Sequence, residues 1–219
     1  MFSRRLSQRL LRHHLPIGLA VLMAGGLIYA TRPYPDVITR LSFSSAYPAL
    51  FLLAATLLVG PWKTFAGTRP AVSFDLRRDL GIWAGMTGVF HAVVGNFEHL
   101  RGRPWLYYIY ENWQQDHVVP LRHDAFGFAN HTGLAAALIV LVLLATSNDA
   151  ALRKLGTPGW KQLQRWNYAA FALVAVHTLI YQIGVKTPQW GWIATTSAAL
   201  VVAAVLQAAG YRRRRAALL

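Results

Sequence analysis

Residues 125–147 read AFGFANHTGLAAALIVLVLLATS. The stretch holds one histidine and no Asp, Glu, Lys or Arg. A helix of this length and apolarity matches a bilayer's hydrocarbon core, which takes about 20 residues to cross. Working outward, five more stretches have the same character: 15–31 (LPIGLAVLMAGGLIYAT), 44–62 (SSAYPALFLLAATLLVGPW), 80–97 (LGIWAGMTGVFHAVVGNF), 166–185 (WNYAAFALVAVHTLIYQIGV) and 190–210 (WGWIATTSAALVVAAVLQAAG). The one at 80–97 is the least apolar and leans on its neighbours. The pattern predicts an all-α integral membrane bundle of six transmembrane helices, a single domain over 1–219 with no internal repeat. The first span follows Arg4, Arg5, Arg9 and Arg12, and without a clear cleavage site it reads as a retained helix rather than a signal peptide.

Composition agrees. Of 219 residues 55% are hydrophobic and 14% charged, against about 25% charged in an ordinary soluble domain. Cysteine is absent, which excludes disulfides, thiolate metal sites, iron–sulfur ligation and cysteine nucleophiles. The net charge of +14 sits in short clusters between apolar runs, and this argues for membrane lipids as partners and against nucleic acid. Sixteen Lys and Arg fall on one side: the N-terminal segment, the second-to-third connection (Lys63, Arg69, Arg77, Arg78), the fourth-to-fifth (Arg153, Lys154, Lys161, Arg165) and the tail Arg212–Arg215. Six fall on the other: Arg32, Arg40, Arg101, Arg103, Arg122 and Lys186. The positive-inside rule places both termini in the cytoplasm.

Ionisable residues inside a bilayer are functional candidates. Of eight histidines, His91, His131 and His177 lie within expected spans. Counted along their helices at about 1.5 Å per residue, all three lie roughly 9–14 Å below the outer edge. Two neutral imidazoles on facing helices at equal depth suit the axial positions of a haem iron. Small residues make room for a flat macrocycle: Gly81, Gly85, Gly88, Ala92 and Gly95 on the third span, Gly127 and Gly133 around His131, and Ala169, Ala170, Ala172 and Ala175 on the fifth. Such stripes equally serve plain helix packing, and a membrane histidine equally serves an interhelical hydrogen bond.

The stretches RRDLGIWAGMTGVFHAVVG (77–95) and LATSNDAALRKLGTPGWKQLQRWNYAAFALVAVHTLIYQ (144–182) resemble two landmarks of the ferric-reductase-like transmembrane domain family. Within it, the chain is most similar to the haem b membrane subunits of periplasmic methionine-sulfoxide reductase systems. The resemblance covers about residues 75–185. It implies that His91 and His177 are the axial ligands of a b-type haem in the outer half of the bilayer. Where relatives with two stacked haems carry a further histidine, this chain has Gln164, so the resemblance implies one haem and not two. It also implies an electron-transfer subunit of an oxidoreductase system, without a soluble nucleotide-binding domain, that passes electrons from a flavoprotein or quinol to a periplasmic acceptor; quinone, or a flavin supplied by a partner, is the further cofactor.

His131 has no assigned place. It is a candidate for a haem propionate, for one axial position, for a quinone headgroup, or for a backbone carbonyl. Trp160, Trp166 and Tyr168 at the inner side read as interfacial aromatics or as stepping stones for an electron. The outer connection 98–124 gathers His99, His117 and His123 with Glu98, Glu111, Asp116 and Asp124, a solvated loop, a metal site or a docking surface. His13 and His14 are expected at headgroup level. Two other functions stand beside electron transfer: a structural or assembly subunit that kept the fold and lost its redox role, and a transporter using the membrane histidines as a relay.

Overall fold

The computed structural model describes residues 2–67, 74–100 and 102–216. Arg69 and Arg101, counted in the charge pattern, lie outside them. Helix α1 (Phe2–Arg9) continues through a π turn (Leu10–His14) into α2 (Leu15–Thr31); then come α3 (Val37–Ala66) and α4 (Phe74–Gly95). A 3-10 turn (Pro104–Tyr107) and the short α5 (Trp113–Asp116) lead to α6 (Ala125–Ala145). Last are α7 (Asp149–Gln164), α8 (Trp166–Ile180) with a π turn (Tyr181–Val185), and α9 (Trp190–Ala216). Among the described residues the one β feature is an isolated antiparallel bridge between Ile109 and Leu121.

Local chemistry sets the boundaries. The side chains of Asp36, Asp124 and Asn148 accept the backbone N–H of Thr39 (2.8 Å), Gly127 (2.7 Å) and Ala151 (2.8 Å), capping α3, α6 and α7. Gly67 ends α3 at φ 65°, a left-handed conformation that needs no Cβ. The 30-residue α3 starts seven residues earlier than the expected second span, because Asp36 caps it there. It is the central helix, packed on α2, α4, α8 and α9, while α6 packs on α4 and α8. Its buried residues Tyr47, Leu50, Leu53, Ala54 and Leu57 form much of the core. Gly210 of α9 meets Pro61 of α3 so closely that a Cβ there would stand 3.1 Å from the proline Cβ. Leu22, Met23, Leu138, Val201 and Val205 face outward, the inverse of a soluble helix and the normal state of one in lipid.

Five helical segments are long and apolar enough to cross a membrane: Leu6–Thr31, Val37–Ala66, Ala125–Ala145, Asp149–Val185 and Trp190–Ala216. Helix α4, the expected third span, is not among them. Its first turns carry Asp75, Arg77, Arg78 and Asp79, so only its later part is apolar. The expected basic connection after the fourth span is the amphipathic α7, broken at Gly156 (φ 67°, ψ 166°). Trp160 fastens it, donating from Nε1 to the Thr146 carbonyl at 2.9 Å.

Contacts at the two ends show how the helices alternate. At one end Arg78 of α4 reaches Ser147 and Asp149 after α6 (3.0 and 2.6 Å), and Arg214 of α9 reaches Thr64 of α3 (3.2 Å). At the other, Arg32 after α2 meets Gln189 before α9 (2.7 Å), and Lys186 after α8 meets Glu98 after α4 (2.7 Å).

Candidate haem site between α3, α4, α6 and α8

Helix α4 presents His91 and α8 presents His177 to one cavity, whose remaining walls come from α3 and α6. Each imidazole is held by a neighbouring helix. The Nδ1 of His91 lies 3.1 Å from the Ser42 carbonyl on α3, and that of His177 lies 2.8 Å from the Ala129 carbonyl on α6. A carbonyl only accepts, so each Nδ1 carries the proton and donates. Each Nε2 is thereby left with a lone pair, the tautomer a metal takes.

The two ring centroids are 6.3 Å apart, with planes at 74°. Two metal–nitrogen bonds of about 2 Å, each extended by the distance from ring nitrogen to ring centre, span about 6 Å. The pair therefore stands at the separation that one metal between two imidazoles requires. A cradle supports it: a Cβ on Gly133 of α6 would fall 2.5 Å from His177 Nδ1 and 2.8 Å from its Cε1. Only glycine leaves that ring in place. Gly88, Ala92 and Gly95 of α4 also line the cavity. Gly85 does not, and instead faces Leu144 of α6, whose Cβ would stand 3.1 Å from a Cβ placed there. The alanines expected on α8 are likewise absent from the wall, to which α8 contributes Val174, His177, Thr178, Tyr181 and Gln182.

The cavity is apolar at depth, where Leu50, Leu53, Val140 and Val174 line it, and polar at one end. There Tyr181 donates to Asn130 Oδ1 (2.9 Å), Tyr108 to Asn96 Oδ1 (3.0 Å) and Lys186 to Glu98 (2.7 Å). Gln182 spends its Nε2 on Thr196 (3.0 Å) and Tyr47 (3.3 Å), and its buried Oε1 has no donor among the described residues. Donor set, ring spacing, cradle and wall all fit a haem.

His131 is not part of the cavity lining. Its Nε2 lies 3.1 Å from the Arg122 carbonyl, the last of the roles open to it from sequence, and its ring lies 5.8 Å from that of Tyr108. Arg122 in turn binds Asp124 (2.6 Å) and the Leu106 carbonyl (3.2 Å), so His131 tethers the outer connection. The outer histidines separate. His99 packs among Tyr107, Phe126 and Tyr181, where burial holds its imidazole below the usual 6.5. His117 stacks on Tyr110 with centroids 3.5 Å apart, and His123 stands edge-on to both. Among the described residues no group of three or more His, Asp or Glu is placed to hold a metal ion.

At the opposite end His13 and His14, expected among headgroups, turn onto Asp79 of α4. His13 Nδ1 lies 2.8 Å and His14 Nε2 3.2 Å from its carboxylate, and Arg9 grips both oxygens. Both rings come from the end of the π turn Leu10–His14. Asp79 is fully buried, and an acid directly after a basic pair was the available clue. Beside this layer Asn167 donates to Thr56 at 2.9 Å.

No family model matches the chain. Over 144 residues it is 31% identical to the protein-methionine-sulfoxide reductase heme-binding subunit MsrQ of Deinococcus radiodurans, a match covering 65% of the chain and 61% of that protein. The corresponding subunit of Pectobacterium atrosepticum is 30% identical over 142 residues, covering 64% of the chain and 63% of the relative. A 48-residue segment, 22% of the chain, is 42% identical to the magnetosome protein MamZ of Magnetospirillum gryphiswaldense and covers 7% of it. The chain thus spans less than two thirds of the length of its MsrQ relatives, and along that stretch it is similar to haem-binding membrane subunits of protein-methionine-sulfoxide reductase.

Proposed function

We propose that this chain is a six-pass subunit of a bacterial inner membrane with both termini cytoplasmic, holding one b-type haem between His91 and His177 in the outer half of the bilayer. It passes electrons from a flavoprotein or quinol to a periplasmic acceptor. The observation that carries this reading is the matched pair of imidazoles, 6.3 Å apart, each with Nδ1 on a helix carbonyl. The six-pass topology is supported by the end contacts, which make α4 antiparallel to its neighbours despite its charged first turns. Residues 75–185 carry both histidines, α3 adds the Ser42 carbonyl with Leu50 and Leu53 to the site, and α2 and α9 complete the bundle.

Held by His91 and His177, a haem would supply reversible one-electron transfer. The chain does the rest. The Ser42 and Ala129 carbonyls fix ligand tautomer and ring orientation, the device by which proteins raise ligand basicity. Gly133 leaves room for the His177 ring. Leu50, Leu53, Val140 and Val174 exclude water from the deep end, and Lys186 and Glu98 keep the other end polar. The reading of one haem, not two, is supported at the inner layer by Gln164 standing in place of a histidine, with the Asn167–Thr56 and Arg9–Asp79 contacts on that side. His131 acts through Arg122 as a tether and not as an axial ligand. The relatives are named as subunits of a methionine-sulfoxide reductase, and a reductase of that class is the acceptor this reading expects.

The test is the absorption spectrum and haem count of detergent-purified protein beside H91A, H177A and H131A. One haem per chain with a sharp reduced b-type spectrum, lost in H91A and H177A and kept in H131A, is expected. Wild-type protein that stays colourless when haem is supplied during expression would refute the reading and leave an assembly role.

A further inference from the structure

Arg32 ends α2 and is 6% exposed. Its Cζ lies 4.2 Å from the Trp192 ring centroid, 4.5 Å from that of Phe43 and 5.9 Å from that of Tyr47. Nη1 donates to Gln189 Oε1 at 2.7 Å. Nε and Nη2 are both buried and make no well-formed hydrogen bond among the described residues, the neutral Tyr47 phenol lying close to the guanidinium. These two atoms form one edge of the guanidinium, the side-on fork that engages two oxygens of an oxyanion at once. Aromatic faces and the Tyr47 phenol are neutral and do not supply the missing charge. Among the described residues the ion pairs at this end of the bundle are Lys186–Glu98, Arg122–Asp124 and Arg103–Glu111, with His99 beside Glu98, and Arg32 is in none of them. A buried charge with an empty fork is a costly arrangement unless an acceptor completes it.

The surroundings favour an anion. Gln189 precedes α9, and its carbonyl accepts from Trp192 (2.9 Å) and Ile193 (3.1 Å). Arg32 is thus fastened at the N-terminal, positive end of a 27-residue helix. Gly191, in the first turn, has nothing within 4 Å of where its Cβ would stand. Lys186 Nζ lies 4.1 Å from the centroid of the same Phe43 ring that Arg32 covers. Trp190, 76% exposed, and Tyr34 are aromatics of the kind that sit at headgroup height. Arg32 itself does not line the histidine cavity, although Phe43 and Tyr47 beneath it do; the site adjoins that cavity and stands whatever the cavity holds.

We infer that Arg32, held by Gln189 at the start of α9, binds a phosphate oxyanion, either the phosphodiester of a phospholipid headgroup or free phosphate. The test uses the full chain with whatever cofactor it carries, purified in maltoside, delipidated, then given phosphatidylglycerol or inorganic phosphate. Native mass spectrometry and thermal melting are the readouts. Wild type is expected to retain one phospholipid and to melt higher with it. R32K, which keeps the charge but not the fork, is expected to bind at least tenfold more weakly, and R32Q not measurably. A shift produced by phosphate alone, with none added by lipid, upholds the site and assigns it to the free anion. No shift with either probe, or equal retention by wild type and R32Q, overturns it. Should neither arginine variant accumulate, G191D places a carboxylate in the same turn: it is expected to melt higher and to lose the lipid response, and an unchanged response overturns the proposal. Haem per chain is expected to be unaltered in R32K and G191D, so failure here and failure of the haem reading are told apart.

Discussion

Gly133→Ala isolates the cradle of the histidine pair. The added methyl would stand 2.5 Å from His177 Nδ1, where ordinary contact begins at 3.4 Å. The ring must therefore retreat by about 1 Å, which stretches its 2.8 Å bond to the Ala129 carbonyl beyond hydrogen-bonding range. Overpacking costs about 1–3 kcal/mol, and an unsatisfied buried donor and acceptor about 1–3 kcal/mol more. The better helix propensity of alanine returns about 1 kcal/mol. The net loss is about 1–5 kcal/mol, a fall of order 10 °C in Tm for a chain of this size. Haem should be lost in parallel, because the displaced ring no longer opposes His91. Gly81→Ala is the control: its Cβ meets only Thr56, at 3.9 Å, and neither haem content nor Tm should fall. The assay is haem per chain from the absorption spectrum, with melting of the same samples. G133A protein with full haem and unchanged Tm would refute the reasoning.

Asp79→Asn removes the carboxylate that pairs with Arg9 and that His13 and His14 contact, and should destabilise by about 3 kcal/mol, at the lower end for a broken buried pair because Asp75 remains 4.0 Å from Arg9; melting, and faster proteolysis of the N-terminal helix, check this. His131→Ala loses the bond to the Arg122 carbonyl, worth about 1 kcal/mol, and should lower Tm slightly while leaving the haem spectrum intact. Although burial raises it, the Asp124 carboxyl is held below its ordinary 3.8 by Arg122 and by the Gly127 N–H. A depressed pKa contributes stability above the unfolded value and loses it as pH falls through the folded one. The outer connection should therefore loosen below about pH 4, seen as faster proteolysis between residues 98 and 124, and Asp124→Asn should abolish that pH dependence.

Much of this was legible in the sequence because the bilayer imposes a coarse rule. Apolar runs of about 20 residues mark helices, and α2, α3, α6, α8 and α9 follow them. Helix α4 was harder, since its first turns look like loop until Asp79 finds Arg9, His13 and His14 from 65 to 70 residues away. Equal depth brought His91 and His177 together on paper, and their rings do meet. The same argument included His131, yet depth says nothing about the direction a side chain takes round its helix. His131 turns to the outer connection and His177 to the cavity, although both helices line it. The partners Ser42 and Ala129 act through backbone carbonyls, which no residue type signals. The part played by α3 as a cavity wall was equally silent, because apolar side chains read alike toward lipid and toward a cofactor. Helix α7 was missed because Gly156 and Pro158 interrupt it, and in sequence they look like a loop.

The most direct measurement is the electron paramagnetic resonance spectrum of the oxidised protein. Imidazole planes at 74° on either side of one iron should give the strongly anisotropic low-spin signal of near-perpendicular axial histidines, absent from H177A. A high-spin signal, or a low-spin signal that persists in H177A, would contradict the assignment of His91 and His177 as the axial pair.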